Sequence, residues 1–469
     1  MSEAKSYFFC GIGGSGMLPL ASIVRAQGHE VAGSDRSLDQ GRVTDKFAYL
    51  KASGIRLFPQ DGSGVTDPAQ ILVTSAAVED TIPDVQAARR IGAAELRRPQ
   101  LLAELFNAAP TGIAIGGTSG KSTTTGMVGW ILHALGRHPT VMNGAVMKNF
   151  VTPDTPFASA LVGDGQIFVS EVDESDGSIA LYHPRVAVLN NVTLDHKSLD
   201  ELRALFTGFV SRAETAILNL DDEETRLIAR SLPDERVRTF GLSNAADLWA
   251  DEIVEEPLAI SFTLRSTQDE NGRRVTLSVP GRHNVANALA ALAAVQAIGV
   301  DIGDAAAAIA GFTGLRRRFD IVGAKNGVTV IDDFGHNPDK IAATLRTLHA
   351  FPGRLLILFQ PHGYGPLKTM GDELIACFNR ELESEDVLIL PNPAYFGGTV
   401  DRTVGSEDIV RGVAEAGRKA EHVPDRGQAA ERIASLARPG DRIIVMGARD
   451  DSLSRVAADI LDKVAASRS

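Results

Sequence analysis

Residues 116–125 read GGTSGKSTTT. The apolar run TGIAI leads into them, and a helical pattern runs on from about Lys121 to Leu135. A strand, a glycine-rich turn and a helix in that order point backbone N–H groups at one spot. The helix dipole adds positive potential there, so the geometry suits an anion. Gly117, Thr118, Ser119 and Gly120 make the turn, with Thr123 in the helical turn that follows. Lys121 is placed to meet the β and γ phosphates of a nucleotide, and Ser122 to offer its hydroxyl to Mg²⁺. The usual pattern has one more glycine where this chain has Ile115. The plainer alternative, a glycine turn with an incidental lysine, leaves the strand before it and the helix after it unexplained.

The bulk numbers frame this loop. A chain of 469 residues exceeds one ordinary domain, and two to four are expected. A content of 44% apolar and 23% charged residues is that of a soluble globular protein. A net charge of −12 disfavours nucleic acid as a partner, because nothing broad neutralises its phosphates. Cys10 and Cys377 are the only cysteines, which points away from a disulfide scaffold and towards a reducing cytoplasm. The N-terminal MSEAKSYFF does not read as a signal peptide, and no window reaches about 18 uncharged apolar residues, so no membrane span is expected.

Strand and helix patterns alternate along the chain in three blocks, the signature of α/β architecture with mostly parallel sheets. The first block has a strand at 7–10, a helix over Met17–Ala26, a strand at 30–33 ending near Ser34 and Asp35, and a strand at 71–77 that includes Ser75. A boundary is expected near 107–110 and a second near 311–323, giving domains 1–108, 109–321 and 322–469. The middle block carries QIFVSEVDES, a strand ending in acid, and RVAVLNNVTLDH, read as a strand ending in Asp195 and His196. Its stretch 250–280 is rich in β-type residues and suggests a small antiparallel excursion. The third block repeats a doubly wound pattern, with a helix expected across 370–382 and the charge-rich NRELESED as a solvated helix end.

Other motifs gather at strand ends. GIGGSG (Gly11, Gly13, Gly14, Ser15 and Gly16 among them) follows a strand, with Asp35 downstream, as in dinucleotide folds. Alone it signals a pyrophosphate site of some kind, or merely a tight turn. SEVDESD packs Glu171, Asp173, Glu174 and Asp176 after a strand. Acid runs are usually solvated faces, but open α/β sheets bind ligands at strand carboxyl ends, where this run lies. A carboxylate with the neutral imidazole of His196 suits Mg²⁺ or Mn²⁺ beside phosphates. In GRHNVANALAA, Asn284 and Asn287 share a helix face and have amides that match an adenine edge; helix capping by His283 or Asn284 explains the spacing as well. Of the three arginines in LRRRF, one is a candidate phosphate ligand and the others read as surface residues. DDFGHNP, FQPHGYGPLK and GARDDSL place His336, His362 and Arg449 just past strands, and together they suggest a site.

The ordered set GIGGSGM, GTSGKSTTT, SEVDESD, NVTLDH, GRHNVANALAA, RRRFD and DDFGHNP resembles the Mur ligases over essentially the whole chain. That family uses the short loop G-T-x-G-K-[ST], which accounts for Ile115. The resemblance implies three domains: a Rossmann-like N-terminal domain for a UDP-sugar carboxylate, with no NAD; a central P-loop ATPase-like domain; and a Rossmann-like C-terminal domain for an amino-acid or peptide acceptor. It implies phosphate and magnesium roles for Lys121 and Ser122, a metal pair of Glu171 and His196, and a nucleotide motif of His283, Asn284 and Asn287. It further implies a γ-phosphate arginine at Arg318 and a third-domain motif of Asp333 and His336. The nearest branch adds L-alanine to UDP-N-acetylmuramate through an acyl phosphate, in a site closed by domain movement, with His336 or His362 as candidate proton acceptor. A monomer or homodimer is expected.

The chain also departs from that branch. After FQPH it reads Gly363, Tyr364, Gly365, Pro366, Leu367, Lys368, where the branch has R-Y-T-R-T, whose arginines help hold the amino acid's carboxylate. Lys368 or Arg449 is the expected substitute; otherwise the acceptor differs, a peptide for instance. No lysine in 198–225 suits the carbamylated role of some relatives. Two readings from other classes are a nicotinamide oxidoreductase built on GIGGSG and a silent scaffold. The first leaves GTSGKS unexplained, and intact Lys121, Glu171 and His196 argue against the second.

Overall fold

The sequence SYFFC buries four of its five residues, a pattern that fits a strand covered on both faces. In a computed structural model, described for residues 4–193, 198–267, 269–394, 403–448, 450 and 452–466, this strand (Ser6–Cys10) centres a five-stranded parallel sheet. The sheet order is Arg56–Phe58, Glu30–Ser34, Ser6–Cys10, Gln70–Thr74, Ala94–Arg97. The order reverses at Ser6–Cys10, a switch point of the kind at whose carboxyl end open α/β sheets bind ligands. The helix Met17–Ala26 follows the glycine turn there.

A second sheet has ten strands. Its parallel part includes Val237–Gly241, Thr215–Asn219, Val186–Leu189, Thr111–Gly116, Ile167–Glu171 and Thr140–Met142. Beyond it Ala259–Ser266 pairs antiparallel with Asp269–Leu277, the excursion expected from the β-type composition. The helix Lys121–Ala134 lies close on this sheet because Gly129 has no side chain: a Cβ there would stand 2.9 Å from Val141 Cγ2. Both sheets belong to one compact unit, made of the chain to Val254 with Ile260–Ser278 and His283–Thr313. Phe106 joins them, its ring 5.7 Å from Phe168 and 5.1 Å from Tyr182. Asn107 donates to the Leu181 carbonyl and accepts from the His183 N–H.

The second compact unit runs mainly from Gly314 onwards. Its six strands are ordered Asp320–Lys325, Val328–Asp333, Arg442–Gly447, Leu355–Gln360, Val387–Leu390, Lys419–His422. All neighbours are parallel except the first pair. Among the described residues no helix is long and apolar enough to cross a membrane. Both cysteines are free and buried.

Four expectations need correction. The strand read through VTLDH stops at Leu189, because Asn190 and Asn191 turn away to bond the phosphate loop; Asp195 and His196 lie outside the described residues. The helix expected from 370 starts at Tyr364, since Pro366 is tolerated in a first turn, where its missing N–H has no helical partner to lose. NRELESED is not simply solvated: Glu381 is held by Arg346 and Arg380, and the buried Asp386 by His349 and two backbone N–H groups. Arg317 is not a surface residue either. It is 7% exposed, 3.5 Å from the buried Asp332, and donates to the Gly447 carbonyl.

Burial raises the Asp332 pKa to about 6, more than Arg317 lowers it. An acid with a raised folded pKa binds more protons folded than unfolded. Its favourable contribution is present below about pH 4 and is lost as pH rises through about 6. Asp332→Asn should remove that slope from the pH dependence of urea unfolding of this unit. Arg317→Met should destabilise it by about 3 kcal/mol at pH 7, since it leaves a buried carboxylate unpaired.

Candidate active site

The turn after Thr111–Gly116 carries two glycines in the left-handed region, Gly117 (φ +124°) and Gly120 (φ +83°). Asn191 fixes the turn: its carbonyl accepts from the Thr118 N–H at 3.1 Å, and its Oδ1 from the Ser119 N–H at 2.8 Å. Thr118 Oγ1 accepts from the Thr193 N–H at 3.0 Å. The helix then begins at Lys121, so its first N–H groups have no partner within it.

Lys121 Nζ lies 2.6 Å from the Gly117 carbonyl and 2.9 Å from Glu174 Oε2. Ser122 Oγ donates to Glu171 Oε2 at 2.7 Å, and Asn143 Nδ2 to the Ser122 carbonyl at 2.9 Å. Gly144 leaves room for the Glu171 carboxylate, which any Cβ there would strike. A hydroxyl and a carboxylate side by side are hard oxygen donors. They fit Mg²⁺, which keeps several waters and takes phosphate oxygens for the rest. Among the described residues no three histidine, cysteine or acidic side chains converge on one point, and the expected partner His196 is not among them.

Asn284 and Asn287, read as an adenine edge, are both buried beneath the loop. Asn287 Oδ1 accepts from Thr124 Oγ1 at 3.3 Å, and its Nδ2 donates to Asn284 Oδ1 at 3.1 Å. They prop the turn from below, while His283 is exposed.

The first glycine loop is built alike. Gly11 has φ +81°, and its N–H and that of Ile12 donate to the Ser34 carbonyl. Asp35 holds the loop: Oδ2 accepts from the Gly13 N–H at 2.9 Å and Oδ1 from the Ser37 N–H at 2.8 Å. Gly14 and Ser15 are exposed, and Gly16 lies against Arg98. Ser34 is buried and its hydroxyl donates to Asp84, whose pKa is raised by burial. Ser75 is half-buried, its carbonyl accepting from Arg97.

In the second unit, the Arg318 guanidinium lies 4.0 Å over the Phe334 ring, a cation–π contact that fixes its direction. Asp333 is buried and accepts from the Phe319 N–H, the Gly335 N–H and Thr344 Oγ1, so its carboxylate shapes the turn. The rings of His336 and His362 meet edge to face at 5.3 Å. Burial first, then the charges of Lys340, His362 and Arg318, lower the His336 pKa to about 3, against the Phe334 carbonyl's opposite pull. That carbonyl lies 2.8 Å from Nδ1, so the neutral ring donates from Nδ1 and presents Nε2 as acceptor. So weak a base does not fit the expected role of proton acceptor at neutral pH. Lys368 is exposed in the helix that starts at Tyr364, Gly363 (φ +136°) precedes it, and Arg449 lies outside the described residues.

Sequence reasoning missed Asn190, Asn191 and Thr193 as supports of the phosphate loop. The signal was the polar NNVT directly after four buried apolar residues. Two predictions follow from this geometry. Gly120→Ala forces a residue into φ +83° and its Cβ into Asn287 Oδ1 and Asn190 Nδ2. It should weaken binding of a nucleoside triphosphate at least about tenfold by calorimetry, the strain alone being about 1–2 kcal/mol; unchanged affinity would remove the loop from the site. The pH–rate profile should show no limb from His336 between pH 5 and 8, so His336→Asn should lower the rate without changing the profile's shape.

The chain matches three families: "Mur ligase family, catalytic domain" over residues 6–109, "Mur ligase middle domain" over 115–295 and "Mur ligase, glutamate ligase domain" over 317–449. It is 35% identical over 454 residues to the UDP-N-acetylmuramate--L-alanine ligase of Rhizobium meliloti, covering 94% of this chain and 93% of that one. The enzyme of that name from Paracoccus denitrificans is 35% identical over 463 residues, covering 95% and 94%. Among solved structures, UDP-N-acetylmuramate-alanine ligase from Thermotoga maritima superposes with a TM-score of 0.80 at 24% identity, covering 99% of this chain and 100% of that one. A murein peptide ligase from Psychrobacter arcticus gives 0.72 at 24% identity, covering 98% and 99%. The phosphate loop, the three-sheet α/β fold and these matches across nearly the whole length have one reading: the chain belongs to the Mur ligase family and is an ATP-dependent ligase.

Proposed function

We propose that this enzyme joins L-alanine to UDP-N-acetylmuramate, with ATP as phosphoryl donor, in the synthesis of peptidoglycan precursors in the cytoplasm. The observation that carries the reading is 35% identity, over 94% of the chain, to a ligase named for that reaction. In the proposed reaction the sugar-linked carboxylate attacks the γ phosphorus, giving an acyl phosphate and ADP. The amine of alanine adds to the acyl carbon, the tetrahedral adduct expels phosphate, and the nitrogen loses its proton as the amide forms.

A carboxylate and ATP repel each other, so the enzyme's work is mainly electrostatic positioning. Lys121, at the head of its helix, is proposed to hold the β and γ oxygens, and Arg318, fixed over Phe334, to be a further cation for the transferred group. Ser122 and Glu171 would hold Mg²⁺, with His196 as the expected third ligand; bound there, the ion would screen phosphate charge. Gly14 and Ser15, exposed at the first glycine loop, are proposed to face the UDP diphosphate. Neutral His336 would orient the acceptor amine through Nε2.

A second reading is a peptide acceptor. What favours it is the segment 363–368, which offers Gly363 and Lys368 and no arginine for an amino acid's carboxylate. Phosphate release with UDP-N-acetylmuramate, ATP and a panel of L-alanine, glycine, L-serine and the tripeptide of recycled murein separates the two. Release that depends on L-alanine is expected; release with the tripeptide alone would replace the first reading with the second. Lys121→Ala should abolish release while leaving the melting temperature within a few degrees of wild type. Near-normal turnover in that variant would remove the lysine from phosphoryl transfer.

A further inference from the structure

The ammonium expected to meet phosphate is already engaged. Besides the Gly117 carbonyl, Lys121 Nζ faces both oxygens of Glu174, at 3.1 and 2.9 Å. Glu174 is only 7% exposed and lies 53 residues away in sequence, on the segment leaving the strand Ile167–Glu171. The two glutamates of that segment are divided between the two groups of the phosphate loop: Glu171 on the Ser122 hydroxyl, Glu174 on the Lys121 ammonium. A carboxylate presenting both oxygens to one ammonium resembles, in charge and shape, two oxygens of a phosphate. Two anions at about 3 Å from one ammonium repel each other strongly at low local dielectric.

We propose that Glu174 is an internal competitor for Lys121, holding the lysine in place and neutralised until the γ phosphate of ATP displaces it. The inference rests on the reading of this loop as the ATP site. The same segment reaches the other anion loop. Asp176 Oδ2 is 3.9 Å from Arg98, and a Cβ on Gly16 of GIGGSG would stand 3.2 Å from Arg98 Cδ. A diphosphate at GIGGSG attracts Arg98 away from Asp176 and so loosens the segment that carries Glu174. The sugar nucleotide thereby eases the exchange at Lys121, and ATP is committed where its co-substrate is present.

The test is the dissociation constant of a non-hydrolysable ATP analogue by calorimetry, with and without UDP-N-acetylmuramate, for wild type and Glu174→Gln. The variant should bind the analogue roughly tenfold tighter than wild type without the sugar nucleotide, and should lose most of the tightening that the sugar nucleotide gives wild type. Adenosine, which carries no phosphate, should bind both proteins equally. The gain should vanish in a Lys121→Ala background, which a merely structural role for Glu174 does not require. Glu174→Asp, which keeps the charge on a shorter arm, should shift affinity in the same direction by less, and serves if the glutamine variant does not fold. Equal or weaker binding in Glu174→Gln, or a gain that persists without Lys121, overturns the proposal and leaves the ATP reading standing. No binding of the analogue to wild type, with or without UDP-N-acetylmuramate, overturns both.

Discussion

The phosphate loop is organised around one ammonium held at the carboxyl end of a buried strand. Lys121 is the first residue of its helix, and its side chain turns back to the Gly117 carbonyl. That return needs two left-handed backbone positions in four residues, and only glycine adopts them without strain. The turn in turn needs a floor with no room for a Cβ, which Asn190 and Asn287 provide. Sheet, loop and floor are thus a single arrangement, and a net charge of −12 on the whole chain does not prevent a cationic point at its centre.

Polar residues in the interior serve this arrangement more than they serve ligands directly. Asp35, Asn191 and Asp333 each accept backbone protons from a loop at a strand end, and Asn287 accepts the Thr124 hydroxyl in the first turn of the helix after the phosphate loop. Each fixes a turn whose backbone or neighbouring side chain would do the binding. Held this way, loop donors need little reorganisation when a charged substrate arrives, and that preorganisation is the main source of electrostatic catalysis.

Much of this was legible in the sequence because it is local. The helix Met17–Ala26 follows its apolar spacing, and GTSGKS announces a strand, a turn and a helix within a few residues. What was not legible depends on residues far apart in the chain. Glu174 reads only as one member of an acid run at a strand's carboxyl end until its partner, 53 residues away, is known. Arg317 reads as one of two surface arginines beside a phosphate candidate until Asp332 is seen behind it. Glu381 and Asp386 look like a charged helix end, yet tertiary partners bury them. Asn284 and Asn287 have the spacing for a ligand on one helix face, and spacing alone does not say that this face points inward.

The most direct test of the account follows an oxygen atom. If Lys121 and its loop serve phosphoryl transfer to a carboxylate, UDP-N-acetylmuramate labelled with ¹⁸O in its carboxylate should, in the presence of ATP and L-alanine, yield inorganic phosphate carrying one ¹⁸O per amide formed. Label absent from phosphate, or found in AMP, would contradict the account, because activation would then proceed without transfer of the γ phosphoryl group.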